Sequence, residues 1–345
     1  MRHLPIALSV AVAACSQEPA PAKAQSAPAQ AVQPIASGAA GPQLSLPLAC
    51  TIGVDCEVQS YQDADPGPAV QDYRCGRRTY AEHGGIDFRI PDMAAQRRGV
   101  DVLAVAAGRV ARLRDGVQDI SIRDPAAPPL AGQDCGNGVV IDHGGGWETQ
   151  VCHVARGSVR VKVGDQVTTG QPIAKVGLSG NTEFAHVHLS VRRDGQRVDP
   201  FAPQPRAPGA CAPQPTLWAP AVARQLGYKA GAILNAGFAA GPVQAADVEA
   251  GGIARPTAAA PYFVAYARAI GLEGGDELEL SLTAPDGAVL ATNRSKPMDR
   301  DKAQYFAFVG KKQPAGGWPA GRYSAVTRIH RAGKVAAERR FEMAL

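Results

Sequence analysis

His186-Val187-His188-Leu189-Ser190-Val191-Arg192 alternates polar and apolar residues, and His83-Gly84-Gly85-Ile86-Asp87 stands far upstream of it. In a β-strand, side chains two residues apart point to one face. His186 and His188 therefore share a face, while Val187 and Leu189 point the other way into a core. His83 and Asp87 are four apart and share a face if their segment is extended. A helix would also pair them, but Gly84 and Gly85 inside it would cost about 1 kcal/mol each relative to alanine. The stretch reads as strand or extended loop. Together His83, Asp87 and His188 can bind one zinc ion and leave its fourth position open, the layout of a hydrolytic site. His153 and His186 can carry protons beside it.

The histidine distribution sharpens this grouping. Of seven histidines, His3 lies in the leader and His330 is isolated near the C-terminus, so five fall between positions 83 and 188. His143 sits in Asp142-His143-Gly144-Gly145-Gly146, a hairpin-turn composition, and reads as structural. No His-Glu-x-x-His motif is present, so a helix-borne glutamate base is not the mechanism.

Short strands separated by glycine-containing turns predict a mainly β, antiparallel fold. Val100 to Leu113 alternates around Ala107-Gly108. Val159 to Val163 leads into the turn Gly164-Asp165, and Pro172 to Val176 follows Thr169-Gly170-Gln171. Residues 47–205 are expected to form one β-rich domain that holds the zinc site, and residues 206–230, with several prolines, a connector. Over 231–345 the segments Tyr262 to Ala267, Glu277 to Thr283, Tyr305 to Val309, Tyr323 to Ile329 and Ala336 to Met343 alternate, with Pro285-Asp286-Gly287 as a turn. About seven short strands there suit an immunoglobulin-like β-sandwich. Trp318 reads as core or turn packing rather than a glycan contact.

The N-terminus reads as an export signal. Arg2 supplies a positive charge, and the apolar run Leu4 to Ala14 is too short for a spanning helix, which needs about 20 residues. It ends in Val12-Ala13-Ala14-Cys15, which resembles a bacterial lipobox and implies a lipidated Cys15 after a signal over 1–15. Ser16, by resemblance to lipoproteins of diderm bacteria, implies the outer membrane, facing the periplasm. Residues 16–46, rich in Ala, Pro, Gln and Ser, are expected to be a disordered tether.

Setting Cys15 aside leaves six of the seven cysteines: Cys50, Cys56, Cys75, Cys135, Cys152 and Cys211. An even number in an exported chain suggests disulfides, and six cysteines allow 15 pairings. A hairpin around His143 to Gly146 would bring Cys135 near Cys152. Cys50 and Cys56 are close enough to close a small loop, which leaves Cys75 with Cys211 by elimination. Cys152 as a nucleophile beside His153 is disfavoured, because neighbouring strand residues face opposite ways.

At 345 residues there is room for two domains, and 45% apolar and 6% aromatic residues suit modest cores. A formal charge of +5, without a basic stripe interleaved with aromatics, argues against nucleic-acid binding and is compatible with an anionic wall or membrane.

These motifs resemble the lysostaphin-type (LytM-like) zinc metallopeptidases, which hydrolyse peptide bonds of bacterial peptidoglycan. The family's H-x-G-x-D is matched by His83 to Asp87, its middle histidine by Val151-Cys152-His153 and its H-x-H by His186 to His188. Gly136-Asn137-Gly138-Val139-Val140-Ile141-Asp142-His143-Gly144, Val163-Gly164-Asp165-Gln166-Val167 and Gly170-Gln171-Pro172-Ile173 match as well. The likeness covers roughly residues 75–205. Val151 replaces a usual tyrosine, Thr182-Glu183-Phe184-Ala185 replaces Ser-Thr-Gly-Pro, and Ser190 stands where glutamate is common.

The resemblance implies a zinc endopeptidase with His83, Asp87 and His188 as metal ligands and His153 and His186 as proton carriers. Which of the two is the general base stays open. With the export signal it implies action on peptidoglycan cross-links between D-alanine and diaminopimelate, and a membrane contact through the lipid. The C-terminal domain is left free to take a cell-wall protein partner. Two rivals stand beside this expectation: a non-catalytic LytM-like activator of a cell-wall amidase, and a wall-binding anchor with a structural zinc.

Overall fold

The computed structural model describes residues 41–65, 67–205 and 210–345. The expected signal over 1–15, the lipidated Cys15 and most of the tether lie outside the described residues. Among the described residues no helix is long and apolar enough to cross a membrane.

The first half runs β1 (Glu57–Ser60), β2 (Ile86–Arg89), α1 (Met93–Arg98), β3 (Asp101–Leu103), β4 (Gly108–Arg114), β5 (Gly138–Gly144), β6 (Trp147–Cys152), β7 (Gln166–Val167), β8 (Pro172–Lys175), β9 (His186–Arg193) and β10 (Gln196–Arg197). Its main sheet has the order β1-β2-β9-β6-β5-β4-β7, with β10 paired to β9 and with β3-β8 forming a separate ribbon. Every pairing in it is antiparallel. The polar–apolar alternation of β9 underlies this architecture. Val187, Leu189 and Val191 of β9 are fully buried with Ile86 and Phe88 of β2 and Val151 of β6 in one core. Val159 to Val163 is not a strand of the sheet. It is an extended segment tied to β8 by the Arg160 amide donating to Ile173 O at 2.8 Å.

His143 has the structural place its turn composition suggests. Buried on β5, its ring bridges Ala107 O and Thr149 Oγ1, each at 2.8 Å. The three disulfides are Cys50–Cys56, Cys75–Cys211 and Cys135–Cys152.

The second half runs α2 (Pro220–Gln225), β11 (Ala232–Ala239), α3 (Ala245–Ala250), β12 (Tyr262–Leu272), β13 (Glu277–Thr283), β14 (Val289–Arg294), β15 (Lys302–Lys312), β16 (Arg322–Arg331) and β17 (Lys334–Ala344). A sheet β11-β12-β15 faces a sheet β14-β13-β16-β17 across a core that includes Phe263, Leu280, Leu282, Tyr323 and Trp318. The first, second and fifth strands form one layer and the third, fourth, sixth and seventh the other, whereas a constant-type immunoglobulin sandwich keeps its fourth strand with the first layer.

Two sequence boundaries differ from expectation. Residues 41–46 are not part of a free tether: Leu44 is fully buried, and its backbone bridges to Trp218. The supposed connector is likewise packed, since Leu217, Trp218 and Leu226 are buried in the core of the first half. A few large apolar side chains suffice to dock an otherwise proline-rich segment.

The sandwich meets the first sheet through polar contacts along β1 and β2. Arg89 and Arg268, both 1% exposed, share the carboxylate of Glu249: Arg89 Nη2 donates to Oε2 at 2.6 Å, and Arg268 Nη1 reaches the same oxygen. Arg89 Nη1 also donates to Gln304 Oε1 at 3.2 Å, and Gln59 Nε2 to Ala303 O at 3.0 Å. One carboxylate thus serves two buried guanidinium groups. Removing a partner from such a cluster leaves uncompensated charge in the interior. Glu249→Ala is therefore expected to lower the unfolding free energy by about 3 kcal/mol, read as a shift in the urea midpoint. A loss below about 0.5 kcal/mol, the usual scale of a surface change, would remove this cluster from the interface's support.

Candidate metal centre

Antiparallel register assembles the site. Asp87 on β2 pairs with His188 on β9, Arg89 pairs with His186, and His188 pairs in turn with Cys152 of β6. His153 follows Cys152 directly. His83 lies in the loop before β2 and returns to Asp87 because the intervening backbone is tightly packed. A Cβ on Gly85 would stand 2.6 Å from His188 Nε2 and 2.4 Å from Leu189 O, so only glycine lets the loop pass.

The three expected ligands converge. His83 Nε2 is 3.1 Å from Asp87 Oδ1 and 3.1 Å from His188 Nδ1, and His188 Nδ1 is 2.9 Å from Asp87 Oδ1. A tetrahedral zinc with bonds of about 2.0–2.1 Å would set its ligand atoms about 3.3–3.4 Å apart. A small outward movement would admit the ion.

Which nitrogens face inward follows from the groups behind the rings. His83 Nδ1 donates to Tyr61 O at 2.6 Å, since a carbonyl only accepts. Nε2 is thereby left bare towards Asp87. Ser190 Oγ donates to Gly84 O at 3.0 Å and so accepts from His188 Nε2, also at 3.0 Å, which leaves His188 Nδ1 bare. Two bare nitrogens and a carboxylate oxygen pointing at one place are three acceptors with no donor, and a cation satisfies them. The donor set of two imidazoles and one carboxylate fits zinc. Cys50, Asp55 and Cys56 also cluster in metal-ligand fashion, but both cysteines are spent on their disulfide.

The two remaining histidines are held in the same manner. His153 Nδ1 donates to Ser179 O at 2.8 Å. His186 Nδ1 lies 3.0 Å from both Phe184 O and Thr182 Oγ1, and Thr182 donates its hydroxyl proton to Phe184 O, so the imidazole N–H is the remaining donor. His186 Nε2 is 3.5 Å from Asp87 Oδ1, and the rings of His153 and His186 are 4.6 Å apart. His153 adopts a left-handed φ of 63°, a conformation uncommon outside glycine. Its amide donates to Cys135 O at 2.9 Å, and the Cys135–Cys152 bridge ties the two segments there. A Cβ on Gly136 would meet the Ser179 backbone at 2.3 Å, so this glycine is what lets the loop lie against His153's carbonyl acceptor.

Burial and charge set the protonation states. Burial works against ionising Asp87, but His83 and His186 outweigh it and hold the carboxyl well below the usual range. Burial depresses His83, yet Asp87 and the Tyr61 carbonyl leave it raised overall. Burial, followed by the proximity of His186 and His188, pushes His153 down to about 3, so it is neutral at physiological pH. Burial also lowers His188.

Two clefts flank the centre. One, of about 340 Å³, is lined by His83, His153, His188, Gln150, Arg192 and Arg197, among others. The second, of about 300 Å³, holds Asp87, His186, Ile122, Phe184 and Ala303 of β15, so the sandwich supplies part of its wall. Tyr80 stands between the clefts and stacks on His83 with ring centroids 4.3 Å apart. Phe184 lies under the Arg89 guanidinium at 3.7 Å, which links the His186 loop to the interface with the sandwich.

All five expected residues thus meet in one place. The supporting groups Tyr61, Ser179, Thr182 and Ser190 were not assigned these roles from sequence. Ser190 was visible only as a departure from a family pattern, and a backbone carbonyl leaves no trace in residue identity.

Residues 81–200 match Peptidase family M23. Over 102 residues the chain is 36% identical to the murein hydrolase activator EnvC of Escherichia coli K12, covering 30% of this chain and 20% of that protein. The chain therefore spans about a fifth of that relative's length. Among solved structures, the catalytic domain of the prophage-encoded M23 protein EnpA from Enterococcus faecalis, in a point-mutant form, is 23% identical, with 47% of this chain and 95% of that one covered and a TM-score of 0.30. A zinc-containing peptidase from Vibrio cholerae is 23% identical, with 41% and 38% covered and a TM-score of 0.27. The lysostaphin catalytic domain from Staphylococcus simulans is 20% identical, with 41% and 85% covered and a TM-score of 0.27.

If Ser190 fixes the His188 tautomer, Ser190→Ala should weaken zinc affinity about 10- to 100-fold, the usual effect of losing a ligand's outer partner. Competition against a fluorescent chelator measures it. A change under about twofold would mean that Ser190 does not orient the ligand.

Proposed function

We propose, from the premise that residues 81–200 form a peptidase M23 domain, that the chain is a zinc-dependent endopeptidase of peptidoglycan peptide cross-links. The observation that carries this reading is the convergence of three acceptor atoms, from His83, Asp87 and His188, within about 3 Å of one another between two open clefts. Bound there, zinc supplies a Lewis acid and a water made acidic enough to attack at neutral pH.

The chain's own residues do the rest. His153 and His186 each keep Nδ1 occupied by an acceptor behind the ring, so that each has Nε2 free to take a proton. One accepts the proton of the attacking water and passes it to the leaving amine. The other, if it had taken a proton from solvent before the attack, would donate to the oxygen on which negative charge develops. Asp87 Oδ1 lies 3.5 Å from His186 Nε2, on the metal side of that ring. The clefts on either side give an extended peptide room to cross the centre.

Export and anchoring belong to the same proposal. Three disulfides suit an oxidising compartment. Lipidation of Cys15 would hold the enzyme at the outer membrane facing the periplasm, and there the cross-link between D-alanine and diaminopimelate is the substrate.

A second reading, a non-catalytic activator of a cell-wall amidase, draws on the similarity to the murein hydrolase activator EnvC. The complete donor set favours catalysis. The two are separated by incubating cross-linked peptidoglycan with the purified protein lacking residues 1–15 and with a His186→Ala variant. Loss of cross-linked dimers with the first, and at least a hundredfold slower loss with the variant, is the expected muropeptide profile by mass spectrometry. Dimers left intact by zinc-loaded protein would favour the activator.

A further inference from the structure

Beyond the metal ligands, the same face of β9 continues through Ser190 to Arg192. Arg192 lies four residues past His188, about 13 Å along the strand. Arg197 pairs with it across the β9–β10 turn and leans back towards the centre. The Arg197 guanidinium lies 2.6 Å from where a Cβ on Gly84 would be, so it rests over the loop that carries His83, and Nη1 reaches Glu82 O at 3.4 Å. Both arginines line the larger cleft.

Among the described residues neither forms an ion pair, although Glu82 and Asp134 also line the cleft and Glu148 stands opposite Arg192 on β6. The nearby Glu148 is engaged by Arg112 through both carboxylate oxygens, at 3.1 and 2.9 Å. Asp134, across the cleft, accepts from Asn181 Nδ2 at 3.1 Å. Arg193, on the opposite face of the strand, shows the contrast: it lies over Trp147 and beside Asp194. Arg192 is half-buried, and the charges acting on it include the engaged Glu148 and the like-charged Arg197 and Arg112. Two guanidinium groups on one wall of a cleft, one leaning over the metal loop, form a receptor for a carboxylate.

We propose that Arg197 and Arg192 bind a free carboxylate on the leaving-amine side of the scissile amide. This rests on the endopeptidase reading and makes it more specific. In a cross-link to diaminopimelate, the carbon bearing the acylated nitrogen also carries a free carboxylate. A glycyl-glycine bridge has none at that carbon. The pair would therefore select the first kind of cross-link and set its direction across the centre, with the acid-bearing residue in the larger cleft and the acyl side towards Phe184.

The test uses the zinc-loaded protein lacking residues 1–15 and two stem peptides that represent the leaving-amine product. Both contain diaminopimelate and differ only in whether the carboxylate beside the free amine is ionised or amidated. Calorimetry should show tighter binding of the acid by on the order of tenfold or more, the scale of a charge-assisted pair. In Arg197→Gln and Arg192→Gln proteins that preference should collapse towards unity, and in Arg192→Glu it should reverse. Equal or absent binding of the two peptides, or a preference that survives the substitutions, would overturn the proposal. Cleavage of cross-linked dimers is measured in parallel. An acid preference alongside intact dimers would count against the endopeptidase reading and leave the carboxylate site standing.

Discussion

Everything in the site depends on where four imidazole protons go. Tyr61 O, Ser179 O, the Phe184 and Thr182 oxygens, and Ser190 Oγ each take one N–H from behind a ring. Each therefore turns a bare nitrogen inward. Buried acceptors without donors are costly, on the order of 1–3 kcal/mol apiece. A cation at the point of convergence offsets that cost. The fold tolerates the arrangement because the outer partners are themselves fixed. Tyr61 is packed among Tyr73, Phe201 and Tyr228, and Ser190 is bonded to Gly84 O.

The scaffold explains why such partners stay in place. Three neighbouring strands carry the site or lead into it, and their antiparallel register sets Asp87 against His188 and His188 against Cys152. A one-residue slip would send His186 and His188 into the core and Val187 and Leu189 out of it. The alternation that buries Val187, Leu189 and Val191 thus protects the chemistry as well as the core. The Cys135–Cys152 bridge holds the left-handed His153 against its neighbours. The sandwich acts at the other edge, where Arg89 joins Glu249 and Gln304 two residues from Asp87.

Much of this was legible in the chain itself. The period-two pattern at His186 to Arg192 predicts both the strand and the shared face, because burial on one side imposes that period. The pairing of Cys135 with Cys152 follows from a hairpin whose glycines are visible. What was not legible has physical causes. Carbonyl partners such as Tyr61 O and Ser179 O belong to the backbone, which residue identity does not encode. The docking of Leu44 and Trp218 rests on isolated apolar residues inside proline-rich stretches, without periodicity to announce it. The shared use of Glu249 by Arg89 and Arg268 joins residues far apart in sequence, and only the folded topology brings them together.

Protein acceptors force His83 and His188 into opposite tautomers whose bare nitrogens meet at Asp87. Two-bond ¹H–¹⁵N correlation spectra of the ¹⁵N-histidine-labelled, zinc-loaded protein test it directly. His83 should be protonated at Nδ1 and coordinated through Nε2, and His188 protonated at Nε2 and coordinated through Nδ1. A His188 ring protonated at Nδ1, or a zinc-bound set lacking either ring, would contradict it.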